Sequence, residues 1–126
     1  MFSHVRVGAN DVNASKTFYD AILGTLGIPP GKLDPKGRVF YMTKTGVFAI
    51  TKPINGEPAS AANGCTIGFA VESPEQGNAW HAAGVSSGGS ACEDSPGLRE
   101  GPMGALYLAY LRDPAGNKIC ALKRMA

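Results

Sequence analysis

The period of the apolar positions changes along the chain, and each change marks an element. Val5, Val7 and Ala9 alternate with His4, Arg6 and Gly8, the pattern of a strand with one apolar face. Beyond it the period lengthens. Phe18, Ile22, Leu23 and Leu26 share a helical face, Asp11 or Asn13 stands where an N-cap belongs, and Gly24 or Gly27 lies near the end. This predicts a helix that starts near Val12 or Ala14. The stretch IPPGKLDPKG reads as a loop, and RVFYMTKTGVFAITKP as a hairpin. The hairpin has one strand near Val39 to Thr43, a turn around Lys44 to Gly46, and a second strand near Val47 to Thr51. PINGEPASAANG, polar and rich in small residues, reads as a linker.

The pattern then restarts. CTIGFAVESPEQGNAWHAAGVSSGG has the order strand, turn, helix, glycine stop. Sliding the first half along the chain until Val5 meets Ile67 also brings Val7 onto Phe69, Phe18 onto Trp80 and Leu23 onto Val85, with His4 on Thr66. A short segment near Ala91 follows, then a long loop EDSPGLREGPMG, a strand ALYLAYL, a turn RDPAGN and a last strand KICALK. Asp-Pro-x-Gly-Asn between two apolar runs predicts a hairpin, because proline presets φ while glycine and asparagine accept positive φ. Two similar halves, each a strand, a helix and a group of two or three strands, point to an internally repeated α+β fold.

Composition narrows the picture. The chain has 126 residues, enough for one domain with a real core, and 17 glycines and 9 prolines suit many short elements joined by turns. A net charge of +2 leaves no electrostatic footprint for nucleic acid. No apolar run approaches the roughly 20 residues of a membrane helix, and no secretory leader is recognisable. Cys65, Cys92 and Cys120 are odd in number and lack C-x-x-C spacing, which speaks against a disulfide framework or a zinc knuckle. A reducing, cytoplasmic setting is the expectation.

The pieces SHVRVGANDVNASKTFY, CTIGFAV and YLRDPAGNKICAL resemble the vicinal oxygen chelate superfamily, which includes glyoxalase I, bleomycin-resistance proteins and extradiol dioxygenases. AWHAAGVSSGGS, SPGLREG and AYLRDPAGNKI are similar to a glyoxalase-like bacterial subgroup within it. The resemblance covers nearly the whole chain. It implies a single domain over residues 1–126, built as two βαβββ modules whose sheets curve around a shared cavity, with the helices packed outside. Module one would span about residues 1–53, the linker about 53–63, and module two about 64–126. In metal-dependent members, each module supplies one ligand from its first strand and one from its last. Carried onto this chain, those positions hold His4, Ala49, Thr66 and Cys120.

That set is poor in donors, since a catalytic site generally needs three protein ligands and one open position. His4 is the one family-type ligand retained, so no metal site and no cofactor are expected, with weak binding of Zn²⁺, Ni²⁺ or Mn²⁺ left open. The plainer reading of His4 is a side chain at a cavity mouth, satisfied by a hydroxyl or by water. Cys120 reads as a small apolar side chain; as a nucleophile it would need a base, and His4 is the obvious candidate. Cys65 reads as structural, and the acidic neighbours of Cys92 disfavour its thiolate. His81 is expected to face solvent beside the core residue Trp80, as Tyr19 does beside Phe18. Arg99 is a candidate anion clamp in its loop, weighed against an ordinary solvated charge. Of Tyr107 and Tyr110 only one can face the cavity. The expected ligand cavity is lined by His4, Arg6, Tyr41, Ala49, Thr66, Arg99, Tyr107 and Cys120.

Two functions follow. One is a protein that binds a small, partly apolar molecule between its modules, as bleomycin-resistance proteins do, without chemistry. The alternative is a metal-dependent lyase, isomerase or dioxygenase of the vicinal oxygen chelate type. The donor tally favours the first. The expected partners are that ligand and a second copy of the chain in a homodimer, with no nucleic acid and no membrane.

Overall fold

The computed structural model describes residues 1–125. The first half runs β1 (His4–Gly8), α1 (Val12–Gly24), β2 (Lys32–Leu33), β3 (Val39–Met42) and β4 (Val47–Thr51). The second runs β5 (Ile67–Ala70), α2 (Pro74–Ser86), β6 (Ser90–Ala91), β7 (Gly97–Gly101), β8 (Gly104–Arg112) and β9 (Lys118–Met125). Each half builds its own mixed sheet, in the order β1-β4-β3-β2 and β5-β9-β8-β6, with β7 also on β8. The first strand of each sheet pairs parallel with the last, Val5 beside Phe48 and Ile67 beside Ile119.

The repeat legible in the sequence is therefore a structural repeat of two βαβββ modules. In the second, the edge strand equivalent to β2 is split. β6 pairs with the end of β8 (Ala91 opposite Leu111) and β7 with its start (Arg99 opposite Leu106). Glu93, with φ 60°, lies in the break. The expected loop EDSPGLREGPMG is thus half strand, and Arg99 stands on β7 rather than in a loop.

Local chemistry starts both helices, α1 at Asp11, one of the two caps the sequence suggests. The Asp11 carboxylate accepts the Ala14 N–H at 3.0 Å to cap α1, and the Ser73 hydroxyl accepts the Gln76 N–H at 3.1 Å to cap α2, with Pro74 in the first turn. The helices pack on each other as well as on their sheets, and one core runs through both modules. An aromatic chain crosses it: Phe18, Tyr19, Phe48, Phe69 and Trp80, successive ring centroids 4.7 to 6.4 Å apart.

Tyr19 corrects a sequence expectation. It does not face solvent but is fully buried, because α2 and the β8–β9 turn cover the flank of α1 that a lone amphipathic helix would leave wet. Its hydroxyl donates to Asp113 at 2.6 Å. Asp113 also accepts the N–H groups of Ala115 and Asn117 and the Asn117 side-chain amide, each at 2.9 Å. The Asn117 amide reaches the Gly8 carbonyl at 3.0 Å. The Asp-Pro-x-Gly-Asn turn of module two is thereby tied to α1 and β1 of module one. The linker is pinned as well, since Asn10 exchanges hydrogen bonds with the backbone of Ala59.

Candidate functional site

β1 and β5 each form one edge of their sheet, and they flank a seam between the modules. Two grooves open along it. The first, of about 580 Å³, is walled by Leu23, Leu26, Ile28, Phe48, Ile67 and Phe69, with His4 on its rim. The second, of about 550 Å³, is more polar and holds Arg6, Cys65, Thr66, Gly68, Asn117 and Lys118. Phe2, Val5, Ile67 and Gly68 line both, so the two grooves adjoin along the seam where a shared cavity is expected from the sequence.

The anticipated residues divide between these grooves and other places. His4 is exposed, with Nδ1 2.8 Å from the Ser3 hydroxyl, and it lines the first groove. Arg6 and Thr66 line the second. Ala49, Arg99, Tyr107 and Cys120 line neither. Ala49 is buried at the register position between Arg6 and Phe40. Cys120 lies between Gly68 and Tyr110, its Sγ 3.2 Å from where a Cβ on Gly68 would stand. Arg99 folds back, Nη2 donating to the carbonyls of Asp94 and Ser95 at 3.2 and 3.0 Å.

The two tyrosines turn the other way. Tyr41 closes part of the first groove with its ring, but its hydroxyl points to α1 and donates to Asp20 at 2.7 Å. Burial and that carboxylate push its phenol well above the ordinary value. Asp20 also accepts from Lys16 at 2.7 Å and from the Gly31 N–H at 2.9 Å. Burial alone would raise the Asp20 carboxyl; these donors outweigh it and hold the carboxyl below its usual range. Tyr107 lies against α2 and donates to Asn78 at 2.8 Å. By strand alternation its neighbour Tyr110 takes the opposite face, beneath the Lys118 ammonium at 4.9 Å from the ring centroid. His81 is half-buried rather than solvent-facing; burial lowers its pKa, against a hydrogen bond with the Tyr110 backbone that pulls it up.

The donor set does not fit a family-type metal. His4 is one exposed imidazole, Ala49 offers no donor atom, and Thr66 offers a hydroxyl. Burial pushes the Cys120 thiol up, away from the thiolate that binds metals. Among the described residues, no three His, Cys, Asp or Glu side chains converge on one point. No helix among them is long and apolar enough to cross a membrane.

The groove walls include Ile67, Phe69 and Leu26, which the strand and helix patterns assigned only to the core, and Ile28, which fell in an expected loop. For Ile67 and Phe69 their equivalence to Val5 and Val7 across the repeat was the available signal, because matching first strands must share the seam.

Comparison with known proteins supports this architecture. The Glyoxalase/Bleomycin resistance protein/Dioxygenase superfamily model matches residues 1–121. The crystal structure of a glyoxalase/bleomycin resistance protein from Albidiferax ferrireducens T118 is 62% identical, covers 98% of this chain and 99% of its own, and superposes with a TM-score of 0.95. A glyoxalase-related enzyme from Fulvimarina pelagi is 20% identical, with TM-score 0.73 over 97% of this chain and 86% of that one. Lactoylglutathione lyase from Agrobacterium tumefaciens is 21% identical, with TM-score 0.66 over 97% of this chain and 92% of that one. These last two share the fold. Among curated proteins none matches the chain.

Proposed function

Since the chain belongs to the Glyoxalase/Bleomycin resistance protein/Dioxygenase superfamily, we propose that it binds a small, partly apolar molecule at the seam between its modules, without metal chemistry. The observation that carries this reading is the first groove. It offers about 580 Å³ walled by Leu23, Leu26, Ile28, Phe48, Ile67 and Phe69, a size and lining suited to a small ligand. His4 contributes a polar rim that would orient the ligand rather than activate it. The donor set His4, Ala49, Thr66 and Cys120 supports the metal-free part of the reading.

Two measurements test it. The neutral probe N-phenyl-1-naphthylamine should bind saturably and one-to-one, with enhanced fluorescence, and Val47→Glu at the groove wall should abolish the enhancement. Titration of apo protein with Zn²⁺, Ni²⁺, Mn²⁺ and Mg²⁺ should show no tight binding. Tight one-to-one binding of any of them that vanishes in His4→Ala would restore the metal-dependent enzyme as the better reading.

A further inference from the structure

Away from the seam, a third and larger groove of about 1100 Å³ opens between the β1–α1 turn, the loop before β3 and the chain leaving β4. Cations dominate its lining: Arg6, Lys36, Arg38 and Lys52, against the single carboxylate of Asp11. Asp11 is already engaged as the cap of α1. Arg38 is neutralised by Asp34, which accepts from its Nε at 2.7 Å. Arg6, Lys36 and Lys52 are exposed, and among the described residues none of the three has a carboxylate within ion-pair distance. Like charges gathered round one concavity repel each other, and an anion placed among them relieves that repulsion.

The groove is also shaped in advance. The guanidinium groups of Arg6 and Arg38 lie 5.7 and 5.3 Å from the centroid of the Phe40 ring. The ring therefore steadies the planar donor fork of Arg6 before any ligand arrives, while that of Arg38 stays on Asp34. The first N–H groups of α1 border the same space and add to its positive field. Leu33, 58% exposed, and Ile54, fully exposed, form an apolar rim.

We propose that this groove binds a small organic anion with at least two negative charges and an apolar or aromatic part, of the aryl phosphate or aromatic dicarboxylate kind. The charged end sits among Arg6, Lys36 and Lys52, and the apolar part lies on Leu33 and Ile54. This groove shares Arg6 with the second seam groove and no residue with the first, so the site proposed here and the ligand groove proposed above can fail independently.

The test is an amide chemical-shift titration of the full chain with phenyl phosphate and, separately, with phthalate, using benzyl alcohol as the uncharged control. The expected result is saturating shifts at Arg6, Asn13, Lys36 and Lys52 with at least one of the two dianions, weakened by added salt. Which dianion saturates identifies phosphate or carboxylate as the recognised group. Arg6→Gln combined with Lys52→Gln should raise the dissociation constant about tenfold or more. Lys36→Gln, in an exposed loop, should weaken binding without disturbing the fold. The proposal is overturned if neither dianion saturates, if the variants bind as the parent does, if benzyl alcohol binds as well, or if the shifts fall on Leu26 and Ile67 instead.

Discussion

Asp113 shows how one residue type at one spacing carries consequences well beyond its turn. The carboxylate is 4% exposed and accepts from Tyr19, from its own turn and from Asn117. An unpaired buried acceptor is costly, so each donor matters. Tyr19→Phe removes one donor without opening a cavity, and it should lower stability by about 1–3 kcal/mol in urea titrations. Burial first, and the Asp113 charge second, push the Tyr19 phenol well above its ordinary 10.0. The folded state then holds this proton more tightly than the unfolded state. The associated stability is complete below pH 10 and is lost as pH rises beyond it. Unfolding measured between neutral and alkaline pH should therefore steepen above that value in the parent and less so in Tyr19→Phe, with the raised phenols of Tyr41, Tyr107 and Tyr110 supplying the remaining slope.

At the scale of elements, α1 and α2 are equivalent in position and unequal in surface. α1 meets the core with Phe18, Tyr19, Ile22 and Leu23, while α2 buries only Gly77, Trp80 and Gly84. The glycines let α2 approach its neighbours closely. A Cβ on Gly77 would stand 2.2 Å from the Tyr107 ring, which is held by its bond to Asn78 and by β8. Gly77→Ala should thus destabilise by about 1–3 kcal/mol although alanine is the better helix former. Gly24, at the exposed end of α1, has no atom within 4 Å of the equivalent point. Gly24→Ala should be neutral or stabilising by up to about 1 kcal/mol. Thermal melts of the two variants should move in opposite directions, or the second not at all. The split strand β6–β7 belongs to this scale too. Its Gly- and Pro-rich polar sequence carries no strand period, and β7 exists because β8 offers it a ladder.

For the whole molecule, the open edges along the seam bear on how copies of the chain meet. β1 and β5 each leave one edge outside the ladders of their own sheets, and Phe2 and Met42 are exposed apolar side chains on module one. Unpaired edges and exposed apolar groups favour self-association. We expect a homodimer, and sedimentation equilibrium should return twice the 13.0 kDa chain mass at micromolar concentration. A single-chain mass at high micromolar concentration would remove that expectation.

Local rules were enough for much of this chain. Periods of two and of 3.6, the cap Asp11, and the Asp-Pro-x-Gly-Asn turn depend on neighbours close in sequence, so both helices, the first hairpin and the repeat were legible before any fold was known. The four positions His4, Ala49, Thr66 and Cys120 came instead from the family resemblance, which needs only residue identity at aligned positions. Tertiary structure decided the rest. In VFYM both faces of the strand are apolar, and alternation cannot say which face a helix will cover; α1 covered the one bearing Tyr41. Amphipathicity describes a helix with one dry side, but Tyr19 and His81 lie on flanks that other elements covered. The division of the seam into two grooves, and the gathering of Arg6, Lys36 and Lys52 around a third, join residues far apart in sequence. Such neighbourhoods are set by how two sheets and two helices share one core, and no local pattern encodes them.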